Sequence, residues 1–413
     1  MNVFFGILIG VFSLLFLVTA HEFGHFLMAR RNGVRVLEFG IGFPPRAIAW
    51  VHELQKDKKG NILKKKNGKP LYKWRRLKKS EWKQPQDGLV FSLNYLSIGG
   101  FCQMDGESDA DTRPGTFGAA TFWQKTKILF GGVLMNWLVA FLVFTILAWV
   151  GMPTFLENQF SVDSDKTIDF KPVEVVKIVE NSPAERAGFE LGDNILRVNG
   201  SPVYDAYDPL FSSFAGETVT YDIQRNGENL TLEATLNEAN NEWGYLLGVS
   251  MSSDYVFSRY TWSAPLVGAG TTLQLTGETF KGLGSLLYNL ATGAVRLFSF
   301  DDTTREAGQE AISSASEGVT GPVGIIGYIF PTFASSGFNN IAFLIALIST
   351  SLACMNVLPI PALDGGRWLM IFVARLKHKR LTKQTEEKIV SRSLLVLFAL
   401  MILITILDIT RFF

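Results

Sequence analysis

The sequence predicts a polytopic α-helical membrane protein with about four transmembrane helices and one extracytoplasmic α+β domain. Three observations predict it. The 413 residues are 47% apolar, and the apolar residues gather in long uncharged runs. A bilayer core about 30 Å thick takes roughly 20 helical residues, and four runs approach that length. The formal net charge is only +1, yet the charges are sorted along the chain. Lys/Arg number 20 against 9 Asp/Glu from Leu27 to Lys127, 10 against 24 from Met152 to Gly318, and 7 against 2 from Ala374 to Ser393.

The first element is a span over residues 1–30, because Val3 to Ala20 carry no charged side chain. Met1-Asn2-Val3 is not a basic n-region and no small-x-small cleavage site follows, so a retained span is expected rather than a cleaved signal peptide. Residues 31–127 form a basic region on the cytoplasmic side. Within it, "KDKKGNILKKKNGKPLYKWRRLKKSEWK" carries an Asn67-Gly68 hairpin signal, and its lysines suit an anionic lipid surface. "GLVFSLNYLSIGGFCQMDGES" follows, β-prone and partly alternating. Residues 128–152 are uncharged and form the second span.

Residues 170–252 read as the α+β domain: strand, short helix, strand, then a hairpin around Asn226-Gly227. Residues 257–300 place apolar and small residues at helical spacing, as in an amphipathic helix on the membrane surface. The polar stretch 301–317 is expected to be a loop. The third span lies in 337–374 and the fourth in 394–413, the last with 14 uncharged residues from Leu394 to Leu407. The positive-inside rule puts the basic stretches 30–127 and 374–393 in the cytoplasm, and 152–336 and both termini outside. Such a chain is expected in the cell inner membrane. Two distant cysteines, Cys102 and Cys354, exclude a disulfide framework and a zinc ribbon.

Chemistry concentrates at "TAHEFGHFLM", residues 19–28. His21 and His25 are four apart, so on a helix both rings leave one face and can share one ion. Glu22 is offset to reach a water beside that ion, which is the H-E-x-x-H arrangement of zinc hydrolases. His21 lies roughly 25 Å along the helix from Phe4, inside the membrane boundary near the cytoplasmic face. An ionisable group there is costly unless it has a function. A catalytic zinc usually has three protein ligands. The other histidines, His52 and His378, sit in basic segments that disfavour a cation. "MNVLPIPALDGGR" (355–367) offers Asp364 at matching depth, where Pro359 and Pro361 break the helix. Asn356, about two turns earlier, could donate to a developing oxyanion. Plainer readings stand beside these: an Asp364–Arg367 pair capping a turn, and Asn356 in an interhelical hydrogen bond. Asn136, inside the second span, reads as a packing or site-lining residue and not as a ligand.

With these motifs in place, the chain resembles the site-2 protease family of intramembrane zinc metalloproteases, and within it the bacterial regulator-of-sigma-E proteases. The resemblance runs through "HEFGH", "FGIGFPP" (39–45), "YLSIGGFCQM" (95–104), "GGVLMNW" (131–137), "GPVGI" (321–325) and "NVLPIPALDGG". It implies that His21, His25 and Asp364 bind Zn²⁺, that Glu22 is the catalytic base, and that Asn356 is a catalytic donor to substrate or transition state. It implies a membrane-associated β-structure in which Gly40, Gly42, Gly99 and Gly100 help to hold substrate as an added strand. It makes the α+β domain PDZ-like, with "GYLLG" (Gly244, Tyr245, Leu246, Leu247 and Gly248) as its carboxylate loop. That domain would exclude bulky ectodomains or capture a new C-terminus. Sigma-E proteases with tandem PDZ domains differ from this chain, which has room for one, and the basic insert 52–85 is longer than the family pattern.

The expected function is hydrolysis of a peptide bond in or near the transmembrane helix of a single-span protein after a first cleavage, as in anti-sigma factors or remnant signal peptides. Expected partners are the transmembrane substrate, membrane lipid and a PDZ-bound C-terminus, with no nucleic acid. A PDZ-bearing scaffold or chaperone with a relict site is the rival of another class, and it predicts that metal-site substitutions leave function intact. A zinc transporter would want polar ligands facing one another through mid-bilayer, where these spans are almost free of ionisable groups.

Overall fold

The structure of the chain is a computed structural model. It describes residues 3–57, 61–65, 67–68, 70–82, 84–156, 158–169, 173–203, 209–238, 246–252, 257–317, 319–335 and 337–412. In chain order the helices are α1 (Val3–Arg31), α2 (Phe122–Val150), α3 (Pro183–Ala187), α4 (Ala264–Leu297), α5 (Asp302–Glu317), α6 (Pro322–Gly324), α7 (Phe330–Ser335), α8 (Phe338–Val357), α9 (Asp364–Leu376) and α10 (Lys383–Phe412). The strands are β1 (Val36–Leu54), β2 (Tyr72–Arg76), β3 (Leu89–Met104), β4 (Met152–Pro153), β5 (Thr167–Asp169), β6 (Val173–Ile178), β7 (Asn194–Val198), β8 (Ser201–Pro202), β9 (Thr218–Arg225), β10 (Glu228–Thr235), β11 (Val249–Ser252) and β12 (Phe257–Arg259). Two compact units result, Met1–Thr145 with Gly268–Phe413, and Ile146–Val267.

Helices α1, α2, α8 and α10 are long and apolar enough to cross a membrane. A helix satisfies its own backbone groups where water cannot, so apolar runs of this length can fold only this way in lipid. Helix α1 ends where Asn32-Gly33 stops it. Gly33 has φ +76°, Val34 N–H donates to Ala29 O at 2.9 Å and Gly33 N–H to Arg30 O at 3.3 Å, which is a Schellman closure. Arg30 and Arg31 in its last turn complement the helix dipole.

Two helices begin earlier than the uncharged runs from which they were read. Helix α2 starts at Phe122 rather than 128, and α10 at Lys383 rather than 394. Tertiary partners carry the extra turns. Lys125 is buried in an ion pair with Asp109 and donates to Gly118 O at 2.9 Å. Glu386, also buried, accepts from Ser108 Oγ (3.2 Å), Asp109 N–H (3.1 Å) and Arg367 Nε (3.2 Å). Hydropathy excludes such residues from a span, whereas pairing lets a helix bury them.

The stretch 301–317 is a correction: it is helix α5, not a loop. Asp301 caps it, its carboxylate accepting Thr304 N–H at 2.9 Å. The helix then folds back on α4, where Gly293 and Gly308 meet so closely that a Cβ on either would lie 2.9–3.0 Å from the other's carbonyl oxygen. Few apolar residues mark it because little of its surface is buried.

In the first unit a three-stranded sheet has the order β2-β1-β3. Strands β1 and β3 pair twice. Residues 38–41 lie against 90–93 on one side and 100–103 on the other, while 46–52 pair with 89–94. Among the described residues no strand other than β1 pairs with 100–104, whose Met104 N–H donates instead to Glu107 Oε1 at 2.9 Å, and Gly100 brings this edge to α1: a Cβ there would stand 3.7 Å from Glu22 Cγ. A half-buried ion pair, Arg46 with the buried Glu38, lies inside this sheet, and Ser92 Oγ donates to Glu38 at 2.6 Å.

The second unit has a six-stranded sheet, order β10-β9-β7-β6-β11, with β8 attached to β7. Its hairpin turns at Asn226 (φ 51°) and Gly227 (φ 87°), both left-handed as a two-residue type I′ turn requires. Val175, Ile195, Val219, Tyr221 and Ile223 alternate inward and form its fully buried core. Helix α3 starts at a Ser182 cap, whose Oγ accepts from Glu185 N–H at 3.2 Å. A second sheet, β4-β12-β5, lies in the same unit. Beside it Asp165 accepts from Thr261 N–H (2.8 Å), Ser263 N–H (2.9 Å) and both hydroxyls.

Candidate metal centre

One turn of α1 carries His21, Glu22 and His25, and the fold closes around it from three sides. The four-residue spacing stacks the two imidazoles on one face of the helix, with centroids 4.7 Å apart and planes at 86°. Their Nε2 atoms stand 3.1 Å from each other.

Helix α2 passes directly over that face. The approach depends on small residues. A Cβ at Gly24 would stand 2.1 Å from Gly131 O, and one at Gly132 would stand 2.6 Å from both His21 Cε1 and His25 Nε2. Glycine at 132 is thus the room in which the two rings sit. From the same helix, Ile128 O accepts from His25 Nδ1 at 2.8 Å, and the Asn136 amide lies 3.4 Å from His21 Nδ1.

The third side comes from the chain between α8 and α9. Pro359 and Pro361 end α8 and hold an irregular stretch that delivers Asp364 to the start of α9. Gly365 and Gly366 follow because their positions press on the preceding backbone, 2.0 Å from Val357 O and from Ile360 O for an imagined Cβ. Asp364 Oδ2 lies 3.1 Å from His21 Nε2 and 3.3 Å from His25 Nε2.

Two nitrogens and one oxygen therefore converge on one point. Oδ2 of Asp364 is buried and accepts no hydrogen bond. His25 commits its Nδ1 to Ile128 O, so a proton on that atom leaves Nε2 as a lone pair. These atoms fit a zinc ion: ligands about 2.0–2.1 Å from a tetrahedral metal stand roughly 3.3 Å from one another. The ligand atoms of His21, Glu22 and His25 lie within 4.8 Å of each other, so Glu22 is near enough to serve a water at such an ion.

The centre lines a cavity of about 240 Å³ with Cys102, Met104, Glu107, Leu129, Asn356 and Arg367. Burial first, and then the Glu22 and Glu107 carboxylates, push the Cys102 thiol upward, which keeps it neutral. Asn356 faces the cavity, but its Nδ2 donates to Leu352 O at 3.0 Å, so one of its two amide hydrogens is held by its own helix. Arg367 is engaged elsewhere than in the Asp364 pairing considered from sequence, donating to Glu386 and to Glu107 O.

The other expected binding residues are not all gathered here. Gly100 reaches the Glu22 side of α1. Gly40 lies beside the Phe101 ring, Gly42 (φ +77°) beside Leu96 O, and Gly99 (φ +91°) beside the Phe43 ring, all within the sheet. Leu246, Leu247 and Gly248 belong to the second unit, where their carbonyls accept from Asn237, Ala184 and Val179 N–H. Gly244 and Tyr245 lie outside the described residues. Gly132 and Ile128 escaped the sequence reading. The available signal was a Gly-Gly pair and a lone asparagine in an otherwise apolar span, "FGGVLMNW".

Comparison with known proteins adds to this geometry. The description "Peptidase family M50" matches residues 9–56 and 76–401. A candidate zinc metalloprotease of Clostridium perfringens, CPE1693, is 29% identical over 403 residues, covering 95% of each chain. Another, CA_C1796 of Clostridium acetobutylicum, is 25% identical over 411 residues, covering 98% of each. Zinc metalloprotease RasP of Shouchella clausii is 29% identical over 307 residues, 72% of this chain and 62% of that one. Among solved structures, the PDZ domain of the SdrC-like protein Lmo2051 from Listeria monocytogenes matches 21% of this chain and 92% of its own. Its identity is 20% and its TM-score 0.19, too low to argue a fold from.

Proposed function

This chain belongs to peptidase family M50 and is a zinc metalloprotease, and we propose that it cuts peptide bonds within or beside the membrane-spanning helices of single-span proteins. The observation that carries this reading is the position of the three-donor cluster: it is built on a helix apolar enough to cross a membrane, one turn and a half before its terminal Arg30-Arg31 pair. His21, His25 and Asp364 would hold the zinc. Bound there, the ion supplies a Lewis acid for the scissile carbonyl and acidifies a water.

The chain's own residues do the rest. Glu22 takes the proton from the attacking water and returns it to the departing amine. The amide hydrogen of Asn356 that Leu352 O does not hold is available to the developing oxyanion. A helical peptide bond is shielded by its neighbours, so the substrate must unwind, and the edge of residues 100–104 beside Glu22 would take it as an added strand once Glu107 releases Met104 N–H. Gly100 lets that edge lie close to α1 on the side of the base.

Charge sorting supports insertion as four spans with residues 30–127 and 374–393 cytoplasmic and 152–336 outside. A file of ring contacts points the same way. It runs from Phe23 of α1 through Phe39, Phe91, Trp74 and His52 to Tyr72 of β2, each step 4.7–6.2 Å between centroids. At its far end Trp74 and Tyr72 are rings of the kind that settle at the headgroup level, and the basic residues around β2 suit anionic lipid. The unit 146–267, PDZ-like in this reading, excludes substrates that keep bulky ectodomains.

The test is cleavage of a single-span substrate by the whole chain reconstituted in liposomes, with the cut mapped by mass spectrometry. A cut inside the span, slowed when leucines replace helix-weakening residues around it, is expected. Cuts confined to soluble loops would overturn the intramembrane reading while leaving the metalloprotease intact.

A further inference from the structure

We propose that Asn136 is a positioning residue which presents its amide oxygen to His21 and thereby fixes that imidazole as an Nδ1-protonated, Nε2-donating ligand. This rests on the reading of His21 as a zinc ligand.

Three observations point to it. Asn136 is fully buried, at 0% exposure, in the middle of an apolar helix, where an amide is costly without partners. Its Oδ1 is buried and accepts no hydrogen bond. Its Nδ2 lies 3.4 Å from His21 Nδ1, on the ring edge that faces away from His25 and Asp364.

The chemistry of the metal site decides which way the amide faces. Zinc takes the lone pair of Nε2, so a neutral His21 must then carry its proton on Nδ1. With nitrogen toward the ring, two donors would face each other and Oδ1 would stay without one. A half-turn about the Cβ–Cγ bond exchanges the two atoms. It turns the contact into Nδ1–H···Oδ1 and gives the orphaned oxygen its donor. The exchange trades a donor–donor contact and an orphaned acceptor for one buried NH₂ in the oxygen's former place.

Helix α2 already does this for the other histidine, since Ile128 O accepts from His25 Nδ1 at 2.8 Å. Ile128 and Asn136 are two helical turns apart, and Gly132 lies midway, so one face of α2 orients both rings and makes room for both. Ser349 Oγ, itself fully buried, donates to Asn136 O at 2.8 Å and pins that turn of α2 to α8. Partners of this kind set ring orientation and ligand basicity, and their removal commonly lowers metal affinity 10–100-fold.

The experiment uses the full chain with zinc alone. The chain has only four histidines, so ¹⁵N-histidine spectra of the zinc-loaded native protein can be read directly. Two zinc-bound rings protonated at Nδ1 are expected. Zinc affinity is then measured for the native chain, Asn136→Asp and Asn136→Leu, with the melting temperature of each metal-free chain alongside. Asn136→Asp keeps an oxygen acceptor and should hold zinc within a few-fold of native. Asn136→Leu should lose roughly 10–100-fold. Should Asn136→Asp fail to fold, the native spectrum and Asn136→Leu still decide. A zinc-bound ring lacking the Nδ1 proton, or a folded Asn136→Leu with native affinity, overturns the inference. A native chain that binds no zinc through His21 overturns instead the ligand reading beneath it.

Discussion

Oδ2 of Asp364 stands 3.1 Å from Nε2 of His21, although nearly the whole chain separates the two residues. This contact joins the first apolar helix, α1, to the start of α9 at one point and completes a donor set that neither contains alone. A carboxylate buried without a hydrogen bond is unfavourable by itself, and a cation at that point makes it favourable. Asp364→Ala should therefore lose zinc and proteolysis together while the chain remains folded. Zinc content by mass spectrometry and cleavage rate on the same preparation check this. Full zinc occupancy in the variant would remove Asp364 from the ligand set.

Gly132→Ala should damage the centre without touching any ligand. The added methyl would lie 2.6 Å from both imidazoles, nearer than Cβ atoms come, so at least one ring must leave its place. A fall in zinc affinity of about 10-fold or more is expected, the size seen when ligand orientation is disturbed. Isothermal titration with zinc on the purified chain measures it, and an unchanged affinity would mean that α2 is not packed over the rings as described.

Asp408 offers a stability test remote from the chemistry. It is buried in α10 and accepts from Gly321 N–H (3.1 Å) and Gly324 N–H (2.8 Å), the first turn of α6 in "GPVGI". Asp408→Ala leaves two buried donors unpaired, which costs about 1–3 kcal/mol. Unfolding in detergent should show that loss, with zinc affinity unaltered.

The second unit should be acid-sensitive through Asp165. Burial works to raise its pKa, but hydrogen bonds from the Ser263 and Thr261 hydroxyls and N–H groups prevail and lower it to about 2, below the ordinary 3.8. Because the folded value is depressed, the contribution is complete above about pH 4 and is lost as pH falls through about 2. Hydrogen exchange of β4, β5 and β12 at falling pH should show the native chain opening across that window. Asp165→Asn should show a weaker dependence there, and equal curves would contradict the assignment.

The aromatic file along the sheet predicts depth. A spin label at position 74, introduced as Trp74→Cys with the native Cys102 and Cys354 both buried, should meet oxygen more readily than an aqueous relaxation agent in anionic nanodiscs. The opposite ratio would put the sheet in water.

Much of the candidate site is legible in the sequence. The spacing of His21, Glu22 and His25 is a property of one helix, and Asp364 stands out as an acid between a helix-breaking proline pair and two glycines. What surrounds them was not legible. Gly132 and Asn136 acquire meaning only once α2 lies over α1, and Ile128 contributes a backbone carbonyl that no side-chain pattern announces. The same limit applies to the fold. The runs in α1, α2, α8 and α10 show in hydropathy, while the first turns of α2 and α10 depend on buried partners for Lys125 and Glu386. Helix α5 depends on a cap and on two glycines in contact with each other, and neither signal is apolar.

The most direct measurement compares the native chain with Glu22→Gln, in the same liposomes and on the same single-span substrate, with zinc determined for both. Glu22 is read as the base and not as a ligand, so the variant should hold zinc as the native chain does. It should cut slower by about 10²–10⁴-fold, the usual worth of a positioned acid–base group. A variant that carries zinc and cuts at the native rate would contradict the account at its centre.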